Sequence, residues 1–332
     1  MPSGSPGAAS SPADGDRRPA ILVVGGGAIG GIHAAHLAKA AEIVVLDTDA
    51  DHVAAIRAKG LAVSGKTQAQ ARIEAVKDGT ALAGRAFDAL LVAVKSMHTK
   101  AAMTAVLPHL SNQPLLLTLQ NGQGNVDILA ELGPHSIAQG TTWEAGERTG
   151  PGAILHLIHG PPAPIGPARG EASQMAWLVD LLNRVGLPAK LEADPRGAIW
   201  TKYLFNCAMN PVSALLAGSP EGKYGSEEIY GLLVAAVAEG RQVADRMGIV
   251  LPEDPLHLVT EVRAGTRPMP RHPGSMAQDI ARGAPTEIEA LTGYLVRKAK
   301  GFDIACPHLD TLYRLVKGLE TGMAAKRAQG TA

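Results

Sequence analysis

The chain has 332 residues, long enough for two domains of ordinary size, each with its own core. Its 31 Lys+Arg balance its 31 Asp+Glu and aromatics make up only 3%, which excludes the basic field and stacking platforms of a nucleic-acid binder. No apolar run reaches the roughly 18 residues needed to span a bilayer, and two cysteines, Cys207 and Cys306, make neither a disulfide framework nor a metal-ligand spacing, as expected in a reducing cytoplasm.

Residues 1–18 are Ser, Pro, Gly, Ala and Asp without a hydrophobic h-region, so they read as a disordered tail and no signal peptide. Residues 21–24 form a short apolar run, followed at once by GGGAIGG and an Ala-rich helical stretch to about Lys39. Strand, glycine turn and helix N-terminus in that order make a diphosphate site, because backbone N–H groups and the helix dipole point at the anion. Gly25 permits the turn, Gly27 lets the backbone approach a pyrophosphate, and Gly30 lets helix and strand pack closely. A second strand, 42–46, ends in Asp47, about 20 residues on, where a carboxylate binds the ribose hydroxyls and repels a 2′-phosphate. That favours NAD(H); the competing role is a helix N-cap, for which Asp49 or Asp51 is better placed.

Apolar strands at 87–94 and 115–119 alternate with helices at 99–110 and 125–132, the pattern of a parallel sheet covered on both faces. Ligands sit beyond the carboxyl ends of such strands, where Lys95 (in AVKS) and Asn121 (in LQNG) stand. Lys95 then holds a coenzyme ribose or phosphate and Asn121 the nicotinamide side; a solvated Asn-Gly turn is the alternative. Short strands at 153–158 and 164–166 are expected at the sheet's far edge, then a helix at 173–185 and a strand at 188–192. Beyond Asp194 the pattern is helical only, at 196–216, 227–247, 252–264, 276–282, 287–300 and 308–322. The fold class is therefore α/β: a Rossmann-type doubly wound sheet over 19–192 and an all-helical domain over 193–332.

In WTKYLFNCAMNP, Lys202, Asn206 and Asn210 fall at i, i+4 and i+8, a polar edge about 12 Å long on an otherwise apolar helix. A buried helix tolerates these groups only if something pairs with them, either a substrate or neighbouring backbone. Cys207 beside them reads as a small buried residue. In residues 273–296, Ser275 caps one short helix and leaves N–H groups for a carboxylate, Thr286 caps the next, and Glu287 and Glu289 lie in its first turn. Ordinary helix-start signals are the alternative. The pairs His33/His36 and His156/His159 show no third ligand, so they read as structural or exposed and no metal is expected.

Taken together, GGGAIGG, AVKS, LQNGQG, IWTKYLFNCAMNPVSAL and SMAQDI…TEIEALTGYL resemble, in order, the motifs of the ketopantoate reductase (2-dehydropantoate 2-reductase) family, from about residue 20 to 319. The resemblance implies a Rossmann domain, a helical domain and an active site between them. It implies coenzyme contacts at Gly25, Gly27, Gly30 and Lys95, with Asn121 reaching both coenzyme and substrate. Lys202 matches the catalytic lysine, Asn206 and Asn210 the substrate amides, Ser275 the substrate serine, and Glu287 the glutamate beside coenzyme and substrate. Two departures stand out: Asp47 replaces the arginine that holds NADPH in many members, and Glu221 (in SPEG) is the nearest match to a further substrate asparagine. The implied reaction is hydride transfer from NAD(P)H to the ketone of ketopantoate, giving pantoate for pantothenate and coenzyme A synthesis, with Lys202 giving the proton. Rival expectations are another 2-keto acid, including opine-type substrates, and a noncatalytic dinucleotide sensor. A small-molecule keto acid is the expected partner; the sequence does not give the oligomeric state, and since the helical second domains of such enzymes often pair, a homodimer is one candidate.

Overall fold

A computed structural model describes residues 17–328. Most of the expected tail, residues 1–16, lies outside the described residues. Its last two are tied down: Arg17 Nη2 donates to Asp88 Oδ1 at 2.7 Å, and Arg18 Nη2 to the carbonyls of Ala38 (2.6 Å) and Ala41 (3.1 Å). The chain divides into two compact units, 1–120 with 125–195, and 121–124 with 196–332.

The first unit runs β1 (Ala20–Val24), α1 (Ala28–Leu37), β2 (Glu42–Leu46), α2 (Ala50–Lys59), β3 (Leu61–Gly65), β4 (Ala69–Ala71), β5 (Glu74–Val76), β6 (Ala89–Val92) and α3 (Thr99–Val106). It continues through β7 (Leu115–Thr118), α4 (Asn125–Glu131), β8 (Ile137–Gly140), β9 (Ala145–Gly150), β10 (Ala153–Ile158), β11 (Ala163–Arg169), α5 (Ser173–Arg184) and β12 (Ala189–Leu191). Eight strands form one sheet in the order β12-β11-β8-β7-β6-β1-β2-β5. Strands β5, β2, β1, β6, β7 and β8 are parallel, while β11 pairs antiparallel with β8 and parallel with β12.

The unbroken apolar runs follow from this layering. Along β1, Ile21 and Val23 enter one core while Leu22 and Val24 enter the other, and β2 and β6 divide the same way. The core containing Ile21 and Val23 is shared with α1, α2 and α5; the opposite core is shared with α3 and α4. The chain order steps outward from β1 to β2 on one side and to β6, β7 and β8 on the other, so β1 and β6 flank the switch point of a doubly wound sheet.

Two expectations are corrected. Residues 153–158 are not at the edge of this sheet; β10 belongs to a separate four-stranded sheet, β4-β3-β10-β9, and Ile154 packs beneath α1 in the same core as Ile32. Nor is β11 an edge strand, because β12 pairs outside it.

In the second unit the described secondary structure is helical: α6 (Arg196–Leu215), α7 (Pro220–Gly225), α8 (Glu227–Arg246), α9 (His257–Arg263), α10 (Ser275–Ala281), a π-turn at Glu289–Gly293, α11 (Tyr294–Gly301) and α12 (Pro307–Ala328). Its separate core is built on Leu204, Ala208, Val212, Leu233, Val243 and Leu295. Ser226 caps α8, accepting from Ile229 N, and buried Glu239 of α8 accepts from His308 N and Leu309 N at the start of α12.

Candidate functional site

At the carboxyl end of β1 the glycine turn is built by close backbone approach. Gly25 has φ +103° and donates to the Leu46 carbonyl, and a methyl group on Gly30 would lie 1.9 Å from the Gly25 carbonyl oxygen. Gly27 is the N-cap of α1 and has no side chain to offer, so no side-chain hydrogen bond occupies the helix N-terminus; the space a methyl on Gly27 would enter is open. An anion fits there on both counts. Asp47 fixes the turn from β2, its Oδ2 accepting from Gly26 N (2.8 Å) and its Oδ1 from Asp49 N (2.9 Å). Asp49, not Asp47, caps α2, accepting from Asp51 N and His52 N. His52 braces the turn from below: its Nδ1 accepts from Gly152 N, which leaves Nε2–H to donate to Gly26 O at 2.9 Å.

Lys95 stands between β6 and a short 3-10 turn, Ser96–His98. Gln120 stitches this corner, donating to Val94 O (2.6 Å) and Thr99 Oγ1 (2.8 Å), while Thr99 donates to Asn125 Oδ1 and Asn125 to Ser96 Oγ. Sequence reading singled out neither Gln120 nor Asn125, because amides at strand ends carry no distinguishing pattern.

The second unit assembles the other predicted residues. Lys202, Asn206 and Asn210 line one edge of α6 and are all buried, at 8%, 7% and 7% exposure. Asn121 belongs with this unit: Lys202 Nζ donates to its Oδ1 at 3.1 Å and Asn206 Nδ2 to the same oxygen at 3.4 Å. Burial pushes the Lys202 ammonium down to about 8, with the Glu287 carboxylate pulling the other way. Burial pushes the Cys207 thiol far up, so it is an inert packing residue.

Local chemistry explains why these groups converge. Pro211 lies inside α6 and removes the N–H that would bond the Cys207 carbonyl four residues back; Thr292 Oγ1 supplies that bond at 2.8 Å. Thr292 reaches it from the π-turn, where Leu291 has a non-helical backbone (φ −90°, ψ −110°) and its carbonyl accepts from Tyr203 Oη at 2.9 Å. Thr286 opens this segment, accepting from Ile288 N and donating to Glu320. The same segment holds Asn121 through Gln123 N, which donates to Ala290 O at 2.8 Å.

Ser275 is placed differently from the expectation. Gly274 is the N-cap of α10, and Ser275 is the exposed first residue of the helix, with no side-chain cap, because Gly274 at φ +96° already makes the turn. The loop before it is anchored by Lys223, a buried lysine absent from the sequence reading, whose Nζ donates to His272 O (3.0 Å) and Pro273 O (3.3 Å). Glu221 is exposed in the first turn of α7. For one of the two histidine pairs the structure adds what the sequence does not show: His156 and His159 share Glu144 as a third potential ligand. Nothing in the local sequence of Glu144 signals it, since the link it occupies precedes an unrecognised strand.

A lysine brought toward neutrality among amides, in a chain that also folds a Rossmann-type sheet, is the equipment of a dinucleotide-using oxidoreductase. Residues 21–167 match the family described as "Ketopantoate reductase PanE/ApbA", and residues 194–320 match "Ketopantoate reductase PanE/ApbA C terminal". The 2-dehydropantoate 2-reductase of Halobacterium salinarum is 32% identical over 310 residues, covering 90% of this chain and 97% of that protein. A PanE/ApbA family ketopantoate reductase from Ralstonia eutropha superposes with a TM-score of 0.83 at 31% identity, covering 92% of this chain and 99% of its own. D-mandelate dehydrogenase, solved with NADH and anilino(oxo)acetate, shares the fold (TM-score 0.83, 24% identity, 92% and 99% covered). This chain belongs to the ketopantoate reductase family.

Proposed function

We propose that the chain reduces the ketone of a 2-keto acid, with ketopantoate as the first candidate, using NAD(P)H in the cytoplasm. The observation that carries this reading is the hydrogen-bonded set of buried Lys202 and Asn206 with half-buried Asn121, the lysine drawn down to about 8. The relatives named for ketopantoate chemistry support the substrate class, and two free cysteines suit the compartment.

The backbone at Gly25, Gly27 and Gly30 and the N-terminus of α1 would hold the coenzyme diphosphate, and Asp47 the adenosine ribose, with Lys95, Asn121 and Glu287 as further contacts. When bound, the coenzyme supplies the hydride that reduces the ketone carbon. Lys202 gives its proton to the oxygen that becomes the hydroxyl. An ammonium at that oxygen meets charge that develops mainly in the transition state, so it accelerates the step beyond tightening binding. Asn206 and Asn210 orient the substrate's hydroxyl and carboxylate, and Ser275 contacts the carboxylate. The Asp47 carboxylate, already fixed by two backbone N–H groups, favours NADH over NADPH. Glu221 in place of an asparagine favours a second reading, a 2-keto acid other than ketopantoate.

Two measurements test this. A panel of 2-keto acids assayed with NADH and NADPH identifies the substrate, and ketopantoate as a poor substrate selects the second reading. Lys202→Ala should lower turnover by about 10²-fold or more with the dinucleotide Kd unchanged; near-normal turnover removes Lys202 from the chemistry. Dinucleotide binding with no keto acid turnover by the wild type returns the chain to a sensor role.

A further inference from the structure

Apart from the keto acid site, the first unit gathers two imidazoles and a carboxylate whose ligand atoms lie within 4.8 Å of one another. His156 is in β10, His159 follows that strand, and Glu144 lies in the link between β8 of the large sheet and β9 of the small one. Glu144 Oε2 touches His156 Nε2, and both Glu144 oxygens face His159 Nδ1 at 3.1 and 3.2 Å. Glu144 and His156 side chains are 5% and 0% exposed, while His159 is 34% exposed, so the cluster is built in the interior and open on one side. Gly160 N donates to Glu144 Oε1 at 3.1 Å and holds the carboxylate in place.

A polar chain behind His156 orients its ring. Thr67 Oγ1 lies 2.7 Å from His156 Nδ1 and 2.9 Å from His36 Nε2, so the far nitrogen of His156 is held by a fixed hydroxyl and its Nε2 faces the Glu144 carboxylate. His36 is itself held through Nδ1, 3.2 Å from the Val185 carbonyl and 3.3 Å from Lys39 Nζ. An imidazole oriented through its far nitrogen, with a carboxylate beside its near one, is how proteins prepare a metal ligand.

We infer that His156 Nε2, His159 Nδ1 and the Glu144 carboxylate bind one first-row divalent cation of the zinc class, water completing the shell on the exposed side. Imidazole with carboxylate suits that class and not magnesium or calcium, and bonds of about 2.1 Å put ligand atoms on the order of 3.4 Å apart, within reach of small side-chain shifts. The ion joins the end of β10 to the link between the two sheets, so its role is structural.

The test uses the full chain, free of any histidine tag and stripped with chelator, titrated with Co²⁺ and then Zn²⁺. One Co²⁺ per chain, giving a ligand-field absorption band that Zn²⁺ abolishes and a thermal midpoint that rises with either ion, is the expected result. His159→Ala, at the exposed position least able to disturb folding, should weaken binding by at least about 10-fold, and Thr67→Val should weaken it by about 10-fold through the lost orienting bond. No stoichiometric uptake by the wild-type chain overturns the inference and leaves a hydrogen-bonded histidine–carboxylate cluster. Uptake unchanged in His159→Ala overturns it as well, by placing the ion elsewhere.

Discussion

At the residue scale, a lysine with a pKa of about 8 makes a signed prediction. If the Lys202 ammonium is the proton donor, kcat/KM for ketone reduction should be level below pH 8 and fall about tenfold per pH unit above it, while alcohol oxidation rises through the same region. Glu287 favours the charged lysine, so Glu287→Gln should move that limb to lower pH; a limb that stays put would assign it to another group. The same shift governs stability. Because the folded pKa lies below the ordinary lysine value of 10.5, the unfolded chain binds more protons between the two, and this group's cost is full below about 8 and relieved as pH rises toward 10.5. Lys202→Met should therefore raise the thermal midpoint at pH 7 while abolishing turnover, a pairing that a folding lysine would not give.

At the scale of elements, the site rests on a repair made between two segments. The α6 carbonyl that Pro211 leaves without its helical partner is satisfied by Thr292 from the π-turn, and Tyr203 returns a bond to Leu291 in that turn. Thr292→Val, nearly isosteric, leaves a buried carbonyl unpaired and should cost about 1–3 kcal/mol in urea unfolding. In a Pro211→Ala background the backbone N–H restored at that position can take the carbonyl, so the cost should shrink by roughly half or more; an unchanged cost would mean Thr292 acts through packing. The sequence made α6 and its polar edge legible, because the 3.6-residue period and the i, i+4, i+8 spacing are local. The π-turn was not legible: TEIEALTG carries ordinary helix propensity, and its break at Leu291 goes with a bond to Tyr203, 88 residues away. Strands β3, β4, β5, β8 and β9 escaped for a related reason, since LAVSG, AQA, EAV, IAQG and AGERTG are short or polar and become strands only by pairing with β10, β2, β7, β11 or each other.

At the scale of the whole molecule, chain order and compact units do not coincide, and one four-residue segment carries the difference. The strip Asn121–Gly124 follows β7 in the sequence yet belongs with the helical unit, where Asn121 meets Lys202 and Gln123 meets Ala290. Asn-Gly after a strand was readable as a turn, and its allegiance was not, because that depends on atoms about 80 residues further on. Gly122 is what lets the strip lie there: it has φ +84°, and a methyl group on it would come within 2.8 Å of both the side chain and the carbonyl oxygen of Ala290. Gly122→Ala should thus cost about 1–3 kcal/mol in strain and contact. The strain bears on the neighbouring Asn121 and its position against Lys202. Turnover of the keto acid should fall about tenfold or more, since small displacements of a positioning group are costly. Dinucleotide affinity should fall by much less, because Asn121 is one coenzyme contact among several and the glycine turn, built from β1, α1 and β2, does not include the strip. Fluorescence titration with NADH beside steady-state kinetics separates the two quantities. Equal losses in both would show that the strip serves the coenzyme as much as the substrate.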